Sequence, residues 1–194
     1  MDISNRQRVL VTGGTGYLGA RVGASLAEHG YDVYLGSRKP YSHGIVEGCN
    51  QVITDWDDPQ LTFCKGFDLI IHAAGMNADE CARNPHLAIE FNGKVTELLV
   101  RQSASYGCKR FFYLSTVHVY RSPLSGRFNE QSPALNIHPY ATSHLLGEQA
   151  VINGTRYSRM AGHVLRLSNC FGYPITHENG CWGLVLNEFI RDAT

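Results

Sequence analysis

The hydrophobic positions of this chain come in short β-branched runs, each followed by turn residues and then by apolar positions three to four apart. Such runs suit buried strands, and the wider spacing puts side chains on one face of a helix. Arg8 to Thr12 reads as the first strand, Gly13 to Gly16 as a turn, and Leu18, Val22 and Leu26 as one face of a helix ending near Gly30. Further strands are expected at Asp32–Leu35, around Gln51 to Asp55, at Phe67–His72, Arg110–Ser115 and His163–Leu167. Helical spacing covers Leu87 to Tyr106 and about His138 to Tyr157, and an apolar helix starts near Trp182, presenting Trp182, Leu186 and Phe189. Strands alternating with helices imply a parallel sheet covered on both faces, and right-handed crossovers make it a doubly wound α/β domain.

Composition narrows the class. Hydrophobic residues make up 43% of the 194 positions, and 17 Lys+Arg balance 17 Asp+Glu. An ordered core is expected, while attraction to nucleic acid or to an anionic membrane is disfavoured. The apolar runs are strand-length and the first eight residues are polar, so neither a span nor a signal core is expected. Six cysteines without a CxxC pair and nine histidines without HxH or HExxH spacing suggest no metal site. A reduced, cytoplasmic protein is the expectation.

The chemistry begins at Thr12-Gly13-Gly14-Thr15-Gly16-Tyr17-Leu18-Gly19. Placed between a strand and a helix, these glycines permit a tight turn, and the helix opening offers amides to a diphosphate. A dinucleotide site usually carries a carboxylate at the end of the second strand, whereas this chain has Ser37-Arg38-Lys39. Ser37 and Arg38 can donate to a 2′-phosphate, which favours NADP, with NAD as the alternative. Later, Ser115-Thr116 ends the fifth strand, and Tyr140 and His144 share a helix face. A hydroxyl beside a tyrosine suits carbonyl–alcohol chemistry.

Together these segments resemble the extended short-chain dehydrogenase/reductase family, the nucleotide-sugar epimerase and dehydratase group, whose members carry a Rossmann fold. TGxxGxxG matches Thr12 to Gly19, the third-strand Asp matches Asp55 before Trp56, and the IHxAA segment matches Ile71-His72-Ala73-Ala74-Gly75. A central-helix Asn matches Asn92, the Ser/Thr four positions before a VY tyrosine matches Thr116, and RxxN matches Arg166 to Asn169. The resemblance implies cofactor contacts from Gly13, Gly16, Tyr17, Leu18, Gly19, Asp55, Trp56, Ala73, Ala74, Asn92 and Ser168. It implies catalytic roles for Thr116, Tyr140 and His144, and a substrate contact from Asn169. It also implies a homodimer through the helices at 87–106 and 138–157, and structural roles for Glu130 and Glu148.

Three departures qualify the resemblance. His144 stands where the family's YxxxK has lysine, whose charge helps lower the tyrosine pKa. Moving a phenol from ~10 to ~7 corresponds to about 4 kcal/mol, and an imidazole near its ordinary pKa of ~6.5 supplies only part of that. Thr116 is followed by Val117-His118, not by the Asp-Glu pair of 4,6-dehydratases. The chain also stops where family members continue, so residues 1–165 are expected to form the dinucleotide domain and 166–194 an incomplete substrate-binding segment. The expected activity is that of an NAD(P)-dependent oxidoreductase or epimerase acting on a nucleotide-linked sugar. Two rivals remain open: an NADP-holding regulatory module without turnover, and a structural subunit with a vestigial site.

Overall fold

The computed structural model describes residues 6–40, 46–175 and 184–193, with side chains omitted at 185, 186, 190 and 191. Six parallel strands form one sheet: β1 (Arg8–Thr12), β2 (Asp32–Ser37), β3 (Cys49–Ile53), β4 (Leu69–His72), β5 (Arg110–Thr116) and β6 (Ala161–Leu167). Their order is β3-β2-β1-β4-β5-β6. The chain leaves β1 toward β2 on one side and returns to β4 on the other, so a crevice opens above the β1/β4 boundary. The third strand lies two residues earlier than its expected position at 51–55, and β4 begins at Leu69. β6 runs on to Leu167, two residues past the expected domain boundary.

Alternation along each strand divides the core between the two faces of the sheet. Leu10, Ile70, Phe111 and Tyr113 pack with Leu99, Val100, Val151 and Met160 on one face. Val9, Val11, Val33, Leu35 and Ile71 pack with Ala20 on the other. The first face is covered by α4 (Thr96–Ser105) and α5 (Pro139–Thr155), the second by α1 (Tyr17–Glu28). On that second side β6 is thinly covered among the described residues: Leu165 is exposed, and His163 stacks on Phe112 at 4.5 Å between centroids.

The helix expected from Leu87 begins earlier and is irregular. α3 (Pro85–Ala88) passes through a π-helical segment (Ile89–Val95) into α4, and Asn84 caps its start by accepting from the Leu87 amide. A short helix, α2 (Ala78–Arg83), was not expected, although its capping box is readable: Asn77 accepts from the Glu80 amide while Glu80 accepts from that of Asn77. α6 (Val185–Asp192) starts three residues after the expected point; Phe189 is exposed, while Trp182 and the side chain of Leu186 lie outside the described residues. No helix among the described residues is long and apolar enough to cross a membrane.

Candidate active site

The glycine-rich turn leaves β1 with Gly13 at φ +62°, a conformation that L side chains rarely adopt. A Cβ at Gly13 would also stand 2.8 Å from the Ala74 amide, and one at Gly19 would collide with the Gly13 carbonyl. β1, β4 and α1 therefore approach one another backbone to backbone. Gly16 is the N-cap of α1 and has no side chain to bond the first-turn amides. Those amides have no acceptor in their own helix, so the turn is built to receive an anion from outside. The cradle fits a diphosphate.

Two cavities of about 800 and 910 Å³ meet at this cradle and share Gly13, Gly16, Ala73, Gly75 and Met76. The first extends over β2 and is lined by Ser37, Arg38, Thr54, Trp56 and, on the far side, Arg83. Trp56 is held edge-on against Phe63 and Phe91 at 5.1 and 5.5 Å. The Ser37 hydroxyl donates to the Lys39 carbonyl and accepts from Gln51, so its proton is already engaged and Arg38 is left as the free donor of that pair. Asp55 is exposed and accepts from the Asp57 amide, off the lining formed by its neighbours. Arg83, on the unforeseen α2, carried no motif that could have marked it.

Asn92 lies beneath the groove and is 2% exposed. Its Oδ1 accepts from the Met76 amide at 3.0 Å, and its Nδ2 donates to Ser143 Oγ at 3.0 Å and to Cys81 Sγ. It thus fastens the loop after β4 to α5. The π-helical segment that carries Asn92 packs closely on α5, where a Cβ at Gly93 would meet Leu146 at 3.2 Å.

The second cavity holds Thr116, Tyr140 and His144, together with Tyr17, Leu18, Gly19, Ser168 and Asn169. Tyr17 donates to the Gly172 carbonyl at 3.0 Å, and Gly172 in turn donates to the buried Asn187 on α6. Pro139 opens α5, and His138 caps it by accepting from the Tyr140 amide. The Tyr140 ring stands edge-on to His144 at 4.5 Å. Burial pushes the Tyr140 phenol above its ordinary pKa, and a hydrogen bond with Thr116 offsets part of that rise.

His144 differs most from expectation. It is 6% exposed, and its Nδ1 lies 3.0 Å from the Tyr113 hydroxyl. Burial lowers its pKa to about 4, so the imidazole is neutral at neutral pH and brings no charge to Tyr140. Tyr113 itself was not singled out by any sequence pattern. It fits because position 147 is glycine, where a Cβ would strike the Tyr113 hydroxyl.

One turn on, Glu148 accepts from Ser115 Oγ at 2.5 Å and takes a two-pronged ion pair from Arg166 at 2.9 and 2.6 Å. The Arg166 guanidinium also lies over the Tyr120 ring at 4.8 Å. The carboxylate therefore ties β5, β6 and α5 together beside Thr116. Among the described residues no group of three His, Cys, Asp or Glu could hold a metal ion, and Cys49, Cys64, Cys81, Cys108 and Cys170 are free thiols.

A doubly wound sheet with an amide cradle at its switch point defines a dinucleotide-binding class of protein. Residues 9–194 match the model of the NAD dependent epimerase/dehydratase family, and the chain belongs to that family. It is 29% identical over 160 residues to UDP-glucose 4-epimerase 3 of Oryza sativa subsp. japonica, covering 72% of this chain and 42% of that protein. It is 30% identical over 171 residues to dTDP-6-deoxy-L-talose 4-dehydrogenase (NAD(P)(+)) of Kitasatospora kifunensis, covering 85% and 53%. The chain thus spans about half the length of these curated relatives. Among solved structures, a UDP-galactose 4-epimerase superposes with a TM-score of 0.82 at 20% identity, over 96% of this chain and 62% of that one. MoeE5 in complex with UDP-glucuronic acid and NAD superposes with a TM-score of 0.80 at 18% identity, over 95% and 60%. At these identities the structures speak for the fold.

Proposed function

We propose that this chain is the dinucleotide-binding part of an NAD(P)-dependent oxidoreductase or epimerase acting on a nucleotide-linked sugar. The observation that carries the reading is the placement of Thr116 and Tyr140 in a cavity continuous with the uncapped opening of α1. Amides of Tyr17 to Gly19 would hold the diphosphate, Trp56 and Thr54 the adenine end, and Ala73 and Ala74 the floor, with Ser168 at the ring end. When bound, a nicotinamide dinucleotide supplies or accepts a hydride at its ring.

Tyr140 would exchange a proton with the sugar oxygen, and Thr116 would orient that oxygen. The Tyr113 hydroxyl engages Nδ1 of His144, which leaves Nε2 as the nitrogen for a hydrogen bond with a ribose hydroxyl of the cofactor. Asn169, exposed at the rim, would meet the substrate. Arg38 favours NADP over NAD, and Arg83 reinforces it as a second guanidinium on the same cavity. Leu87, Ile89, Leu146 and Ile152 are exposed on the long helices and suit a homodimer.

Fluorescence titration with NADPH and NADH tests the cofactor reading. Binding of NADPH at micromolar concentration is expected. Failure of both dinucleotides to bind would overturn the reading and leave only a structural role; binding with no turnover of any nucleotide sugar would favour a regulatory module.

A further inference from the structure

We infer that this site reduces a sugar carbonyl and is not built to begin by oxidising a sugar hydroxyl, because the residue beside the proton-exchanging phenol is a buried imidazole tied to a second phenol in place of a cation. This rests on the dinucleotide reading above and narrows its substrate class to a nucleotide-linked keto sugar.

The two directions ask opposite things of Tyr140. Oxidation, which is also the first half of an epimerisation, needs a phenolate to take the hydroxyl proton. Reduction needs a phenol that still has a proton to give. When bound, a reduced nicotinamide dinucleotide would supply the hydride to the carbonyl carbon and itself become oxidised. Tyr140 would give its proton to the carbonyl oxygen, leaving a secondary alcohol, and the phenolate would regain a proton from solvent through the open cavity.

The surroundings of Tyr140 favour the protonated phenol. No Lys, Arg, Asp or Glu lines this cavity among the described residues; its titratable groups are Tyr17, His118, His138, Tyr140, His144 and Cys170. From α2 the nearby group is the Cys81 thiol and from the segment after β6 that of Cys170; both push the phenol pKa further up. His144 faces Tyr113, Tyr140 and, one turn on, Glu148, whose charge only partly counters burial. Glu148 is itself held by Arg166, so that cation is matched to its own carboxylate and offers none to the phenol.

The experiment is a pH titration of the full chain labelled with 13Cζ-tyrosine, read by NMR, without ligand and with saturating NADP+. Tyr140→Phe assigns the resonance. Tyr140 is expected to titrate no lower than the ordinary tyrosine value of about 10 in both states, and His144→Lys to lower its midpoint by at least one unit. A wild-type midpoint below the ordinary tyrosine value in either state overturns the inference, as does an unshifted midpoint in a folded His144→Lys variant. The wild-type titration decides the matter even where the variant fails to fold. Loss of the cofactor reading registers separately, as absent NADPH binding, while the ligand-free titration still reads the phenol.

In turnover at pH 7.5, NADPH is expected to be consumed with dTDP-4-keto-6-deoxyglucose at least 100 times faster than NADP+ is reduced with UDP-glucose. Equal rates, faster oxidation or no NADPH consumption overturns the substrate class.

Discussion

The Tyr113 hydroxyl meets His144 Nδ1 at 3.0 Å, and it does so in the space left by the missing side chain of Gly147. Two elements thereby set the orientation of the imidazole next to Tyr140, while burial keeps it neutral. Tyr113→Phe removes the partner of a buried nitrogen and is expected to cost about 1–3 kcal/mol. Gly147→Ala is expected to cost about as much by overpacking, since its Cβ would also lie 2.7 Å from the Asn92 carbonyl. Urea unfolding at pH 7 checks both, and neutral behaviour of either would show that the contact is not maintained.

Glu148 is the anchor of the neighbouring network. Its side chain is 4% exposed and that of Arg166 is 22% exposed, so removing the carboxylate leaves a half-buried guanidinium without its counterion. Glu148→Ala is expected to cost about 3 kcal/mol, and the double variant with Arg166→Ala less than the sum of the two single changes. A double-mutant cycle by denaturant unfolding measures the coupling. Additive losses would dissolve the proposed link between β5, β6 and α5.

Acid should unfold this protein earlier than its carboxylates alone would require. His72, wholly buried between Thr12 and Thr96, has its pKa lowered to about 3, and His144 to about 4, chiefly by burial. Both native values lie below the unfolded value of about 6.5, so the unfolded chain binds the extra protons. Their contribution to stability is complete above pH 6.5, declines as pH falls from there toward 4, and is fully lost once the native histidines themselves protonate. Each is expected to steepen the decline by about 1 kcal/mol per pH unit. Unfolding midpoints at pH 7, 6 and 5 measure it, and His144→Gln should flatten the slope.

Cofactor choice should be readable at Arg38 and Arg83. Arg38→Ala is expected to weaken NADPH about tenfold or more while changing NADH little, the size of a lost hydrogen bond to a charged group. Arg83→Ala should act in the same direction. Fluorescence titration separates the cases, and equal losses for both dinucleotides would remove the preference for NADP.

The sequence by itself determined the order of the six strands and of the long helices between them, because the periods of burial are written in runs such as Val9-Leu10-Val11 and Leu69-Ile70-Ile71. It also determined the tight glycine turn after β1, since only glycine tolerates the backbone of Gly13 and the contact of Gly19 with the Gly13 carbonyl. It showed that lysine is missing at position 144. Only the tertiary structure decided what that absence means, for Tyr113 lies 31 residues from His144 in the chain and reaches it by the packing of β5 under α5. The same holds for Ser115, Glu148 and Arg166, and for Asn92 beneath Met76. Local pattern records which face a residue presents; desolvation and hydrogen-bond partners are set by distant segments, and these decide the charge of a buried imidazole.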